Sequence, residues 1–156
     1  MTGATSGAPS RIPETNPMTM LEDAIELAVR AHRGQTDKAG APYVLHVLRV
    51  MLRMPDEAAM TAAALHDVVE DTPHTLDDLR AAGFPEAVVA AVDALTRREG
   101  ETYEAFVRRA GADPVARLVK RADLEDNMDL RRIPDPSEKD LARFRKYRAA
   151  WELLRD

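Results

Sequence analysis

The chain has 156 residues, with 22 Lys and Arg against 27 Asp and Glu, a formal net charge of −5 and no cysteine. This composition excludes thiolate catalysis, Cys-based zinc or iron–sulfur centres and a disulfide framework, and its acidic balance disfavours a polynucleotide partner. His, Asp, Glu and Asn must carry any metal chemistry, and a chain of this length forms one domain that needs no structural metal for stability.

No apolar run approaches the ~18–20 residues that span a bilayer. Residues 1–17 lack a basic n-region and an apolar h-region, so a cytoplasmic protein with no membrane partner is expected. Pro9, Pro13 and Pro17, with Gly3, Gly7, Ser6 and Ser10, predict a disordered leader over 1–17 and a folded domain over 18–156. Beyond Pro17 apolar residues recur at helical spacing, and no run alternates in the manner of a strand, which predicts an all-α domain. Thr19 and Glu22 form a capping box for a first helix that buries Leu21, Ile25, Ala28 and Val29, carries His32 in its last turn and stops at Gly34.

Residues 34–42 read as a Gly/Pro loop, and Pro42 is placed to open a second helix with Tyr43, His46, Val47, Val50, Met51 and Met54 along one side. Pro55 ends it, and Asp56 caps an Ala-rich third helix running to about residue 71. Thr75 and Asp78 cap a short helix ended by Gly83, and Pro85 opens another to about residue 95. A charged connector leads to a helix over 101–110, Asp113 and Pro114 start a long helix to 132, and Ser137 with Asp140 caps a last helix over 141–154. The expectation is a single helical bundle of seven or eight helices.

Polar groups on faces that the periodicity assigns to the core carry the functional information, because burying them unpaired is costly. His46 lies on the stripe of Tyr43 and Val50. His66 shares a stripe with Ala59, Ala62 and Val69, and Asp67 adjoins it. In the long helix Asp123 and Asn127 fall between Val119 and Leu130 on one face. His46, His66, Asp67 and Asp123 are a donor set suited to a borderline divalent ion such as Mn²⁺, Fe²⁺, Co²⁺ or Zn²⁺. A buried His–Asp hydrogen-bond network is the alternative. Adjacent His66 and Asp67 can reach one ion only if the helix ends or turns there. Glu70 and Asp71 follow one turn on, as candidate general base and water-positioning carboxylates at the rim, or as solvent-facing residues of a helix end.

These residues fall in strings that resemble a known family. Ala31-His32-Arg33-Gly34-Gln35, Pro42-Tyr43 with His46, Leu65-His66-Asp67-Val68-Val69-Glu70-Asp71-Thr72, and Val119-Lys120-Arg121-Ala122-Asp123 with Asn127 look like the HD-type hydrolase domain of RelA/SpoT alarmone enzymes. The small stand-alone alarmone hydrolases are the nearer likeness, in order from about residue 21 to 132. The resemblance implies a helical HD-domain bundle, one divalent ion, Mn²⁺, held by His46, His66, Asp67 and Asp123, and Glu70 and Asp71 as catalytic carboxylates. It also implies removal of the 3′-pyrophosphate from guanosine tetra- and pentaphosphate, a small-molecule nucleotide substrate.

Two positions depart from the family pattern: Val47 follows the second-helix His in place of Pro, and Asp37 stands where the family commonly has a nucleotide-holding Arg. Lys38, Lys120, Asn127 and Arg33 are the candidate substrate contacts, with Lys38 as a compensating cation. The same centre acting on another nucleotide or phosphate ester, or a non-catalytic metal- or nucleotide-binding module, are the alternatives, and the second is disfavoured by the presence of both Glu70 and Asp71. The last helix's stripe of Leu141, Phe144, Tyr147, Trp151 and Leu154 either packs on the core or forms a homodimer seam anchored on Trp151.

Overall fold

The computed structural model describes residues 19–155; the leader expected over 1–17 lies outside them. Among the described residues the chain forms α1 (Thr19–Ala31), α2 (Val44–Leu52), α3 (Glu57–Leu65), α4 (Val68–Asp71), α5 (Leu76–Ala81), α6 (Glu86–Ala94), α7 (Tyr103–Ala112), α8 (Pro114–Asn127) and α9 (Glu138–Leu153). No strand occurs among them; an isolated antiparallel bridge between Thr36 and Pro42 pinches the loop before α2. No helix there is long and apolar enough to cross a membrane.

The caps fall where short polar side chains precede apolar periodicity. Asp56 accepts from the Ala59 N–H, Asp113 caps α8 with Pro114 at its first position, and Thr75/Asp78 and Ser137/Asp140 form reciprocal capping boxes. Each such cap is worth about 1 kcal/mol. α3 is the central helix: Ala59, Ala62, Ala63, Ala64 and Leu65 are all buried, and α1, α2, α6 and α8 pack around it. Alanine at so many facing positions lets these neighbours approach closely. A second, smaller cluster of Val107, Leu124, Ala150 and Leu154 docks α9 on α7 and α8. Tyr147 and Trp151 pack against it, and Trp151 Nε1 donates to Glu125 Oε1 at 2.9 Å, so these stripe residues of α9 are used within the chain.

Several elements differ from the sequence expectation, among them α2, which has Tyr43 as its N-cap and ends before Met54 at its C-cap Arg53. α1 turns Ala24 and Ala28 to the core, with Leu21 and Ile25 partly buried, while Val29 is 39% exposed. Val29 follows Ala28 by about 100° of helical rotation, which carries it off the stripe. The third helix is two: α3 ends at Leu65, His66 is its C-cap, and Asp67 precedes the single turn of α4. That break raises the count to nine segments. α8 stops at Asn127, because Asp129 accepts from the Arg131 N–H and starts a separate 3-10 turn at Leu130–Arg132. Finally, α7 starts at Tyr103, capped by Thr102.

Candidate metal centre and its cleft

The break between α3 and α4 directs both His66 and Asp67 toward α2 and α8. His46 from α2 and Asp123 from α8 meet them there, and one ligand atom from each of the four lies within 4.8 Å of all the others. His46 Nε2 is 3.1 Å from Asp123 Oδ1, and His66 Nε2 is 3.0 Å from Asp67 Oδ2. The crossed distances are 3.8 Å from His46 Nε2 to Asp67 Oδ2 and 3.7 Å from His66 Nε2 to Asp123 Oδ1.

The tautomers follow from the partners of the other ring nitrogens. His46 Nδ1 is 2.6 Å from Asp126 Oδ2 and His66 Nδ1 is 2.6 Å from the Ala63 carbonyl, groups that only accept, so both Nδ1 atoms carry the hydrogen. Both Nε2 atoms are buried without a hydrogen-bond partner. Buried polar atoms are rarely left so. Two imidazole nitrogens and two carboxylate oxygens converging on one point fit a borderline divalent cation, and the four residues are therefore able to hold one.

The electrostatics favour positive charge at the same point. Burial lowers the pKa of His46, but the adjacent carboxylates of Asp123 and Asp126 more than reverse this, and His66 is raised further by Asp67 and Asp123 against the same burial penalty. Burial pushes the Asp123 carboxyl up, and Lys120 with the two imidazoles brings it well below the ordinary range.

Asp123 Oδ2 accepts from Lys120 Nζ at 2.9 Å and Oδ1 from Asn127 Nδ2 at 2.9 Å, while Tyr43 Oη donates to Asp67 Oδ2 at 2.5 Å. Lys120, expected as a substrate contact, is thus a buried partner of the candidate ligand Asp123, 4.9 Å from the Phe106 ring. Asp126 escaped the sequence reading altogether. It is 1% exposed and accepts from His46, from Arg49 Nε at 2.8 Å and from Arg132 Nη2 at 3.2 Å. Its signal was present, since it lies seven residues beyond Val119 on the stripe of Asp123.

Glu70 and Asp71 are exposed and line the same cleft, a cavity of about 200 Å³ that also takes in Arg97, Tyr103, Lys146 and Tyr147. Partial burial raises both carboxyl pKa values, and the charge of Asp67 adds to the effect. α4 is held from behind: His32 Nδ1 lies 2.8 Å from Gln35 Oε1, and Gln35 Nε2 donates to the Asp71 carbonyl at 3.1 Å. An adjoining pocket of about 340 Å³ shares Tyr43, Asn127 and Tyr147 with the cleft and is lined further by Asp37, Lys38, Arg132 and Arg143. Of the expected substrate contacts, Lys38 faces this side pocket, Asn127 lies between the two cavities and Lys120 sits in the cleft. Arg33 is exposed and lines neither.

Residues 24–132 match the family model described as "HD domain". The chain is 36% identical over 128 residues to the "GTP pyrophosphokinase" of Streptomyces coelicolor, covering 74% of this chain and 15% of that protein. It is 31% identical over 120 residues to the "Guanosine-3′,5′-bis(diphosphate) 3′-pyrophosphohydrolase" of Aquifex aeolicus, covering 69% of this chain and 17% of that protein. The chain therefore spans about a sixth of the length of these relatives. A solved structure described as "A metazoan ortholog of SpoT hydrolyzes ppGpp and plays a role in starvation responses" superposes with a TM-score of 0.74 at 27% identity, covering 91% of this chain and 89% of the other. With its family match running through all four candidate ligand positions, the chain belongs to the HD-domain family.

Proposed function

We propose that the protein is a cytoplasmic, metal-dependent phosphohydrolase that removes the 3′-pyrophosphate from guanosine tetra- and pentaphosphate. The observation that carries this reading is the pair of buried, unpartnered imidazole nitrogens facing Asp67 and Asp123, with two raised-pKa carboxylates on the next turn of the same cleft. The names of the relatives and of the similar structure support the substrate.

In this reading His46, His66, Asp67 and Asp123 hold the cation, taken as Mn²⁺, with Zn²⁺, Fe²⁺ and Co²⁺ suited to the same donors. When bound, the ion supplies Lewis acidity and charge neutralisation at phosphoryl oxygens. Glu70 accepts the proton of the attacking water, for which a raised pKa suits it, and Asp71 orients that water. The water oxygen bonds to the phosphorus on the 3′ oxygen, the P–O3′ bond breaks, and the 3′ oxygen leaves with a proton, giving GDP or GTP and pyrophosphate. Tyr43, Lys120 and Asn127 fix the two ligand carboxylates, while Asn127 and Lys38 face the nucleotide.

Incubating metal-stripped protein with guanosine tetraphosphate, with and without Mn²⁺, and resolving products by anion exchange tests the reading. GDP and pyrophosphate appearing only with the ion are expected. Asp37 at the side pocket favours one second reading, the same chemistry on another nucleotide. Turnover of a nucleotide panel, with guanosine tetraphosphate inert, would establish it instead.

A further inference from the structure

Asp126 is the most deeply buried carboxylate among the described residues, and the reading above gives it no role. Burying a carboxylate carries a large desolvation cost that only well-placed partners offset. Its partners come from two directions. From α2, His46 Nδ1 approaches Oδ2 at 2.6 Å and Arg49 donates to Oδ1 at 2.8 Å and to Oδ2 at 3.1 Å. From the 3-10 turn, Arg132 Nη2 donates to Oδ2 at 3.2 Å and to the Asp126 carbonyl at 2.7 Å. The other end of that guanidinium, Nη1, reaches Asp37 Oδ2 at 3.0 Å.

Two arginines would already neutralise one aspartate, so the imidazole contact is more than an ion pair needs. Arg132, in turn, lines the side pocket and is tied to the loop that bears Asp37 and Lys38. One carboxylate therefore stands between a ligand nitrogen and a pocket wall. We propose that Asp126 is a positioning residue: it fixes His46 with Nε2 turned to the ligand set and, through Arg132, holds the 34–42 loop in place beside that centre. This rests on the reading that His46, His66, Asp67 and Asp123 hold a divalent cation. A carboxylate acceptor on the far nitrogen sets the tautomer, locks the ring orientation and strengthens the donor, and its loss weakens metal affinity about 10–100-fold in comparable sites.

The test is a Mn²⁺ titration of the purified full chain, following the electron paramagnetic resonance signal of the free ion. Asp126→Asn should raise the Kd for Mn²⁺ about 10–100-fold. Arg49→Gln, which removes another partner of the same carboxylate without touching His46, should leave the Kd unchanged even where it lowers the melting temperature. Arg132→Gln should raise KM for guanosine tetraphosphate more than it lowers kcat. Should Asp126→Asn fail to fold, Asp126→Glu retains charge for both arginines but displaces the acceptor from His46, and the same weakening is expected.

An Asp126 variant that binds Mn²⁺ as tightly as the parent overturns the proposal, as does an Arg49→Gln protein weakened to the same extent. The titration needs no turnover. A parent that binds Mn²⁺ without hydrolysing guanosine tetraphosphate therefore refutes the substrate and leaves the role of Asp126 to be decided by the Kd.

Discussion

Asp37 accepts a hydrogen bond from Arg132 Nη1 at 3.0 Å, across 95 positions of chain. As a free charge beside a cleft proposed to bind phosphate groups, this aspartate would repel such a substrate. The same side chain also accepts from the backbone N–H groups of Ala39 and Ala41, both at 2.9 Å, so its charge is engaged in closing its own loop. Asp37→Ala should cost about 1–3 kcal/mol of stability, read as a lower midpoint in urea unfolding. An unchanged midpoint would show that the loop closes without it.

Glu70 is not one of the four proposed ligands, so its removal should separate the proposed chemistry from metal binding. Glu70→Gln is expected to lower kcat about 10²–10⁴-fold while bound Mn²⁺, measured by elemental analysis, stays at the parent level. His66→Ala should lose both. A Glu70→Gln enzyme at parent rates would remove it from the role of base.

The pH profile has a definite sign. A base works in its ionised form, and burial raises the Glu70 pKa above the ordinary glutamate value, so activity should fall on the acid side through a correspondingly higher pH. Measured at saturating Mn²⁺, the acid limb of kcat/KM should move or vanish in Glu70→Gln. On the same axis, the raised pKa values of His46 and His66 mean that protons compete with the ion, and Mn²⁺ affinity should increase as pH rises through neutrality.

Chelation should lower stability, because the four proposed ligands come from α2, the α3–α4 break and α8, and an ion there would join separate stretches of chain. At free Mn²⁺ a hundredfold above Kd the folded state gains about 2.7 kcal/mol. Differential scanning calorimetry with and without chelator reads the difference as a fall in melting temperature. Identical curves at saturating Mn²⁺ would contradict a bound ion.

Much of this site was legible from residues alone, because His46, His66 and Asp123 sit on apolar stripes where their polarity has no packing reason. The break at His66 was legible only as a requirement: Ala-rich periodicity runs straight through it, and neither Gly nor Pro marks the end of α3. Asp126 was missed because a stripe sampled at positions 119, 123, 127 and 130 passes it by. Lys120 reads from its spacing as a neighbour of Asp123, but its burial against that carboxylate shows only once α8 is packed, since a lysine is seldom buried without a partner. The end of α8 depends on Asp129 capping a new turn, a local competition that a stretch without Gly or Pro conceals.

α9 lies beyond residue 132, where the family match ends, yet its Lys146 and Tyr147 form part of the cleft wall. A fragment trimmed to 24–132 would keep all four proposed ligands and open the cavity on one side. The four proposed ligands thus lie in one stretch of chain, while the walls of their cleft draw on two. A substituted terminal helix would reshape one wall of the proposed hydrolytic centre and leave its ligand residues in place, which makes α9 the natural place to engineer selectivity.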